Sequence, residues 1–368
     1  MKYILLIFIL QWLIGFKLFN KKILENDQNI KINENDKISV IIPARNEEKN
    51  IPNLLNSLQN QTIKPHEIIV VNDFSEDNTY SVAKSYNIKV INNPDLPLGW
   101  TGKNWALWNG FLNSSGDILI FLDADVRLSN DAIETLIKTR NKIDGVISVV
   151  PFHFTQKFYE RLLLLVNILG IFAFTAPKER KRHDKGLYGS CIVTTREDYL
   201  KINGHRSICA EVIDDLSLGK KFSQAGVRIE NFIGVNYVSF RMYPNGIKSA
   251  LQGLSKSAAL STSTLKKQSV MLIFLWLLGY ILSGFITPIL FITKSPLLNT
   301  FIFIYLLYFL QIIYFSKYTG YFGFINLLAY FLSSIFFIIM ILYSFYQTTF
   351  LGHVYWKGRE IKVGGKNS

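Results

Sequence analysis

The chain has 368 residues, 49% of them hydrophobic, and a formal charge of +13, enough length for one large domain plus additions. The two cysteines, Cys191 and Cys209, make no metal-ligand pattern and no disulfide framework. A basic balance of this size suits an anionic membrane surface or anionic substrates; nucleic acid, the other common partner of a basic chain, is disfavoured because no recognition motif accompanies the charge.

In chain order, the first feature is an apolar run, Ile4–Phe16, interrupted by Gln11 and closed by Lys17. The following "GFKLFNKK" offers no small-residue cleavage site, so residues 1–20 are expected to be a retained membrane anchor. A mostly polar block follows, whose residues 36–245 are expected to form one catalytic domain. "ISVIIP" is a short β-branched run ended by proline, and Ile51, Leu54, Leu55 and Leu58 recur at helical spacing. "EIIVV" is a second strand, Lys103–Asn113 a further helix, and "DILIFL" a third strand. Strands alternating with helices predict an α/β domain with a mostly parallel sheet covered on both faces.

Such sheets bind ligands beyond the carboxyl ends of their strands. "PARNEE" (Pro43–Glu48) follows the first strand, "NDFSEDNT" (Asn72–Thr79) the second and "DADV" (Asp123–Val126) the third. Glu47, Asp73, Asp123 and Asp125 would therefore gather at one edge. Any one of them alone is explained as turn or cap chemistry. Together, after three successive strands, they form a cluster whose repulsion calls for a cation or a hydrogen-bonding ligand. Hard divalent cations such as Mg²⁺ or Mn²⁺ take oxygen ligands, and Mg²⁺ is usually held by one or two carboxylates plus substrate phosphates. An Asp-x-Asp at a strand end suits that role, with a nucleoside diphosphate as the phosphate source.

Further along, the apolar "LLLLVNILGIFAF" is expected to touch membrane or lipid, and the basic "KERKRHDK" after it (Lys178–Lys185) to be a solvated loop. Asp214 and Asp215 open a helical pattern, "LSLGKKFSQAG", where capping is the structural alternative to chemistry. Residues 246–268 form a basic juxtamembrane segment with Lys248, Lys256, Lys266 and Lys267. Three uncharged runs, Val270–Thr293, Leu297–Phe315 and Tyr321–Tyr346, are each near or beyond the roughly 20 residues that cross a bilayer. They place transmembrane helices within residues 269–347. Lysines flank the polar block on both sides, so it is expected to face the cytoplasm, making the protein a multi-pass protein of the cell membrane. The tail, residues 348–368, is basic and is expected on the same side, which requires one hydrophobic segment to be re-entrant or interfacial. The five histidines show no metal-ligand spacing, and Trp276 is expected in an interfacial aromatic belt.

The set "SVIIPARNEE", "IIVVNDFSEDNT", "GWTGKNWALWNG", "DILIFLDADV" and "VIDDLSLGKKFSQAG" resembles, in order, the inverting glycosyltransferase family two, of the GT-A fold, over Ser39 to about Gly226. The resemblance implies that Pro43, Arg45, Glu47 and Asp73 hold the nucleoside and that Lys103 approaches the diphosphate. It also implies that Asp123 and Asp125 form the metal motif, with Asp123 nearer the donor. Asp215 would take the place of the catalytic base, with Asp214 beside it, and Arg241 would close over the donor. "SVVPFHFTQKFYERL", "FRMYPNGIKSALQGLSKSAA" and "WKGREI" extend the likeness to the bacterial 4,4′-diaponeurosporenoate glycosyltransferases of staphyloxanthin-type carotenoid biosynthesis. That implies glucose from UDP-glucose transferred to a C30 carotenoid acid. The "VIDDLSLG" stretch looks more like ordinary members of family two, so a hopanoid, glycerolipid or polyprenyl phosphate acceptor stays open. The Gln-x-x-Arg-Trp motif of processive members is missing, which argues against polymer synthesis. The reading from another class is a non-catalytic sugar-nucleotide-binding membrane protein.

Overall fold

The computed structural model describes all residues except 1, 34, 177–184, 262–264, 352, 357–358 and 363–368, and side chains except also those of 255–261, 348, 353–356 and 359–362. Lys256, most of the 178–185 basic cluster and the side chains of the basic tail beyond 351 thus lie outside what is described. The chain divides into two compact units: Lys22–Phe152 with Arg180–Arg241, and Met1–Lys21 with His153–Glu179 and Met242–Ser368.

The first unit is built on alternating strands and helices: β1 Ile38–Ala44, α1 Ile51–Gln59, β2 Glu67–Asn72, α2 Thr79–Lys84, β3 Lys89–Asn92, α3 Gly102–Leu112, β4 Ile118–Leu122, β5 Val126–Leu128, α4 Ala132–Ile143, β6 Val146–Val150, β7 Cys191–Thr195, α5 Arg196–Lys201, α6 Asp214–Gln224, β8 Ile229–Ile233 and β9 Val238–Phe240. Seven strands form one sheet in the order β3-β2-β1-β4-β7-β6-β8. β1 pairs parallel to both β2 and β4, β2 parallel to β3, and β6 parallel to β8; β7 runs antiparallel between β4 and β6. The mostly parallel α/β sheet expected from the sequence is therefore present.

Period-2 alternation explains why its strands read as unbroken apolar runs. Val40, Ile42, Ile118, Ile120 and Leu122 enter one buried core, with the α1 residues Ile51, Leu54, Leu55 and Leu58. Ile41, Leu119 and Phe121 enter the core on the other face, with Leu107 and Phe111 of α3. Gly110 seats α3: a Cβ there would meet Ile41 and lie 3.1 Å from the Val71 Cγ2. Pro43 stands inside β1 rather than ending it, opposite Val71, in a parallel ladder where its missing N–H is tolerated near the strand end.

Among the described residues of the second unit, four stretches are long and apolar enough to cross a membrane: Phe158–Thr175, Lys267–Ile292, Leu298–Thr319 and Phe331–Leu351. Three answer to the expected C-terminal segments, and the first contains "LLLLVNILGIFAF". The run Tyr321–Tyr346 is not one helix, since Phe324–Leu328 ends before Phe331–Tyr346 begins. The N-terminal helix Lys2–Leu18 has 17 residues and packs into the same unit through polar side chains. Trp12 Nε1 donates to the Leu307 carbonyl at 2.9 Å, and Gln311 Nε2 donates to the Trp12 carbonyl at 2.7 Å. Trp276 is not at an interface: it is fully buried, and its Nε1 donates to Gln311 Oε1 at 2.8 Å. An indole N–H inside an apolar bundle needs such a partner because lipid offers none.

Candidate functional site

The parallel β1, β2 and β4 are neighbours, so the loops carrying Arg45, Glu47, Asp73, Asp123 and Asp125 leave the same edge of the sheet. Past β4 the chain turns sharply. Asp123 N–H donates to the Ser190 carbonyl at 3.0 Å and Val126 N–H to the Asp123 carbonyl at 3.2 Å, which starts β5. β5 pairs antiparallel with β9, and beyond β9 the Arg241 N–H donates to the Asp125 carbonyl at 3.4 Å. That bond brings Arg241 against the Asp-x-Asp turn. Burial, and then the charge of the Arg241 guanidinium, lower the Arg127 pKa, so two positive charges act on each other near this turn. Such a pair suits an anion.

Helix α3 delivers Lys103 to the same turn. Thr101 caps it, its side chain accepting from Asn104 N at 3.4 Å, which places Lys103 in the first turn. Lys103 Nζ lies 2.9 Å from Asp123 Oδ1 and 3.5 Å from Asp214 Oδ2. Asp214 and Asp215 occupy the first turn of α6, whose N-cap residue, Ile213, makes no side-chain capping bond. Asp214 turns to Lys103, while Asp215 accepts from Gly189 N at 3.0 Å and Leu216 N at 2.9 Å. Lys103, Asp123, Asp214 and Asp215 thus form one charged cluster drawn from three separate segments.

Its electrostatics are uneven. Burial disfavours the Lys103 ammonium, but Asp123, Asp214 and Asp215 outweigh that and hold its pKa above the ordinary lysine range. The Asp215 carboxyl is pushed up to about 6, by burial first and then by Asp214, against the opposing pull of Lys103 and two backbone N–H groups. Removing the lysine charge should raise it further. Lys103→Gln is therefore expected to move any acid limb of the pH–rate profile to higher pH, read from kcat against pH beside wild type.

Burial drives the nearby His205 down to about 4, so this ring stays neutral and structural. The Tyr199 hydroxyl accepts from the His205 backbone N–H at 3.0 Å, leaving its own proton for His205 Nδ1 at 2.6 Å. Gly189 completes the wall: a Cβ there would lie 3.2 Å from Asp215 Oδ2 and 3.4 Å from Lys103 Nζ. Gly189→Ala is expected to lower kcat about tenfold by displacing the carboxylate by a few tenths of an ångström, with little change in thermal midpoint. A full wild-type rate would mean the Asp215–Lys103 spacing is not critical.

Beyond β1 and β2 the loops interlock. Arg45 Nη1 donates to the carbonyls of Asp73 (3.1 Å) and Phe74 (3.2 Å), Glu47 N to Thr79 Oγ1 (2.7 Å), and Asn50 Nδ2 to Glu47 Oε2 (2.8 Å). Asp73 is buried, and its Oδ1 accepts from Asn93 Nδ2 at 3.0 Å. Sequence reasoning passed over Asn93, Asn104, Asn109 and Gly189. Asn104 Nδ2 donates to the carbonyls of Ile208 (2.8 Å), Cys209 (3.2 Å) and Glu211 (3.0 Å), tying the Lys103 helix to the segment that leads into Asp214. Among the described residues no three His, Cys, Asp or Glu side chains are already assembled as a metal cage.

A mostly parallel α/β sheet whose carboxyl edge gathers carboxylates, a lysine and arginines is the GT-A architecture. Residues 39–202 match the model of "Glycosyl transferase family 2". The chain is 36% identical over 281 residues to the 4,4′-diaponeurosporenoate glycosyltransferase of Staphylococcus haemolyticus strain JCSC1435, covering 73% of this chain and 74% of that one. With the enzyme of the same name from Staphylococcus aureus strain N315 it shares 31% over 355 residues, 95% and 94% of the two chains. The mannosyltransferase PcManGT of Pyrobaculum calidifontis, solved with GDP-Man and Mn²⁺, superimposes with a TM-score of 0.55 at 15% identity, covering 93% of this chain and 94% of that one; the likeness is one of fold. The chain belongs to glycosyl transferase family 2, and it is a glycosyltransferase.

Proposed function

We propose that this enzyme is a membrane-bound inverting hexosyltransferase that moves glucose from UDP-glucose to a lipid, a C30 carotenoid acid (4,4′-diaponeurosporenoate), with its catalytic unit on the cytoplasmic face. The observation that carries the acceptor is the likeness over 95% of the chain, apolar helices included, to an enzyme named for that substrate. Four stretches able to cross a membrane fit an acceptor that resides in one.

In an inverting transfer the acceptor oxygen attacks the anomeric carbon, forming the new C–O bond. The bond to the diphosphate breaks on the opposite face, and UDP leaves with the electron pair. Asp73, Arg45, Glu47 and Pro43 would hold the nucleoside. Asp123 and Asp125 offer hard carboxylate oxygens, and two carboxylates with two diphosphate oxygens match the donor set by which Mg²⁺ or Mn²⁺ is held. Bound there, the cation would neutralise charge developing on the leaving diphosphate. Lys103 and Arg241 supply further positive charge to the same end. Asp215 would take a proton from a hydroxyl acceptor.

That last role favours a second reading, the same chemistry on a hydroxyl-bearing lipid, because a carboxylate acceptor is already ionised and needs no base. Incubating the enzyme in bilayers with radiolabelled UDP-glucose and either purified carotenoid acid or extracted polar lipids separates the two. Label in the carotenoid ester supports the first reading, and label only in another lipid replaces it with the second. UDP binding without metal-dependent turnover on any acceptor would leave a non-catalytic binding protein.

A further inference from the structure

Three buried polar side chains form a chain of hydrogen bonds from helix α3 to the β2 edge of the site. Asn109 Nδ2 donates both to the Trp105 carbonyl (3.0 Å) and to Asn93 Oδ1 (2.8 Å). Asn93 Nδ2 then donates to Asp73 Oδ1 (3.0 Å). Asn109, Asn93 and Asp73 are each more than nine-tenths buried.

The order of donors is forced. Both hydrogens of the Asn109 amide are used, so it presents a donor to Asn93. Asn93 must answer with its oxygen, which leaves its NH₂ for Asp73. A flip of Asn93 would set oxygen against oxygen at Asp73 and N–H against N–H at Asn109. Backbone bonds fix the same corner: Asp73 N–H donates to the Ala44 carbonyl (2.8 Å) and Asn93 N–H to the Asn72 carbonyl (2.9 Å).

Asp73 stands at the carboxyl end of a parallel strand, the edge at which such sheets bind ligands, and its carboxylate suits a ligand that offers N–H donors. We infer that Asn93 and Asn109 are positioning residues that fix the Asp73 carboxylate for recognition of the donor's nucleobase. This rests on the nucleoside role proposed above for Asp73. Helix α3 then serves both ends of the donor, with Asn109 setting the nucleobase contact and Lys103 the diphosphate end.

The test is binding by the full chain in nanodiscs, by calorimetry with UDP, GDP, CDP and inorganic pyrophosphate. Asn109→Leu removes the relay at nearly constant volume. Asn109→Asp keeps the shape but opposes two acceptors, and serves as the second variant should the first fold poorly. Both are expected to weaken the preferred nucleoside diphosphate about tenfold, the order of leaving the buried Asn93 carboxamide oxygen without its donor. Preference among the bases should narrow, while pyrophosphate affinity stays at the wild-type value. Unchanged nucleotide affinity, or equal weakening of nucleotide and pyrophosphate, overturns the inference, because a merely structural role would move both ligands together. If wild type prefers GDP or CDP, the UDP reading falls and the relay is tested with that nucleotide. Wild-type turnover of UDP-glucose with unaltered variants sinks the relay alone.

Discussion

With a hydroxyl acceptor, Asp215→Asn is expected to slow transfer about 10²–10⁴-fold, the range a general base contributes, while UDP still binds as in wild type; with an acceptor already ionised, as the carotenoid acid is, the rate should stay near that of wild type. Asparagine keeps the shape and an acceptor for the Leu216 N–H, but it cannot take a proton. In wild type the base must be ionised, and its carboxyl is pushed up to about 6, so kcat should fall as pH drops through about 6 and level off above it. Asp215→Asn should lose that limb. Stability carries the opposite sign. A carboxyl raised above its ordinary value favours the folded state while protonated, and that contribution disappears as pH rises from the ordinary carboxylate range through about 6. The ionised form that catalysis uses is therefore the less stable one. Thermal midpoints measured across that interval should slope more steeply downward with pH for wild type than for Asp215→Asn. A wild-type rate in the variant would show that the acceptor arrives already ionised, as a carotenoid carboxylate does, or that another base serves.

Much of this architecture is legible in the sequence because a buried parallel strand leaves a plain signature. "ISVIIP", "EIIVV" and "DILIFL" each hold an unbroken apolar run, "VII", "IIVV" and "ILIFL", since both faces of the sheet are covered. β3, "KVIN", leaves none: it is the edge strand, with both ends exposed, so its composition looks like a loop and the expected third strand is in fact the fourth. The antiparallel β7 is equally invisible as a direction, because local composition carries no signal of which way a strand runs. In the apolar bundle the helix break between Leu328 and Phe331 has no proline, glycine or charge to mark it. The acidic residues of the site stood out by type and by place after a strand. The amides did not, because Asn93, Asn104 and Asn109 have the composition of turn or surface residues and only burial reveals their use. Lys103 and Asp214 lie far apart in sequence, and their 3.5 Å approach depends on the carboxamide of Asn104 holding the 208–211 carbonyls against helix α3.

Asp125→Ala is expected to abolish transfer, with a loss of about 10³-fold or more if the cation supplies several kcal/mol of transition-state stabilisation. The protein should stay folded and membrane-bound. The bond that organises this turn is made by the Asp125 backbone carbonyl, which accepts from the Arg241 N–H, and alanine keeps it. Asp123→Ala is a different experiment, because Asp123 also holds Lys103 at 2.9 Å. Its loss would leave the ammonium to Asp214 and Asp215 and lower the pKa of the base, so the acid limb should move to lower pH as the rate falls. The charges that shift the Asp215 carboxyl are those of Asp214 and Lys103, so the residual rate of Asp125→Ala should keep the wild-type acid limb while the Mn²⁺ concentration giving half-maximal rate rises sharply. Turnover titrated with Mn²⁺ and Mg²⁺ at several pH values reads both effects at once. Full wild-type activity in excess chelator, or an Asp125→Ala variant as fast as wild type, would remove the metal from the mechanism and leave Lys103 and Arg241 as the groups that stabilise the leaving diphosphate.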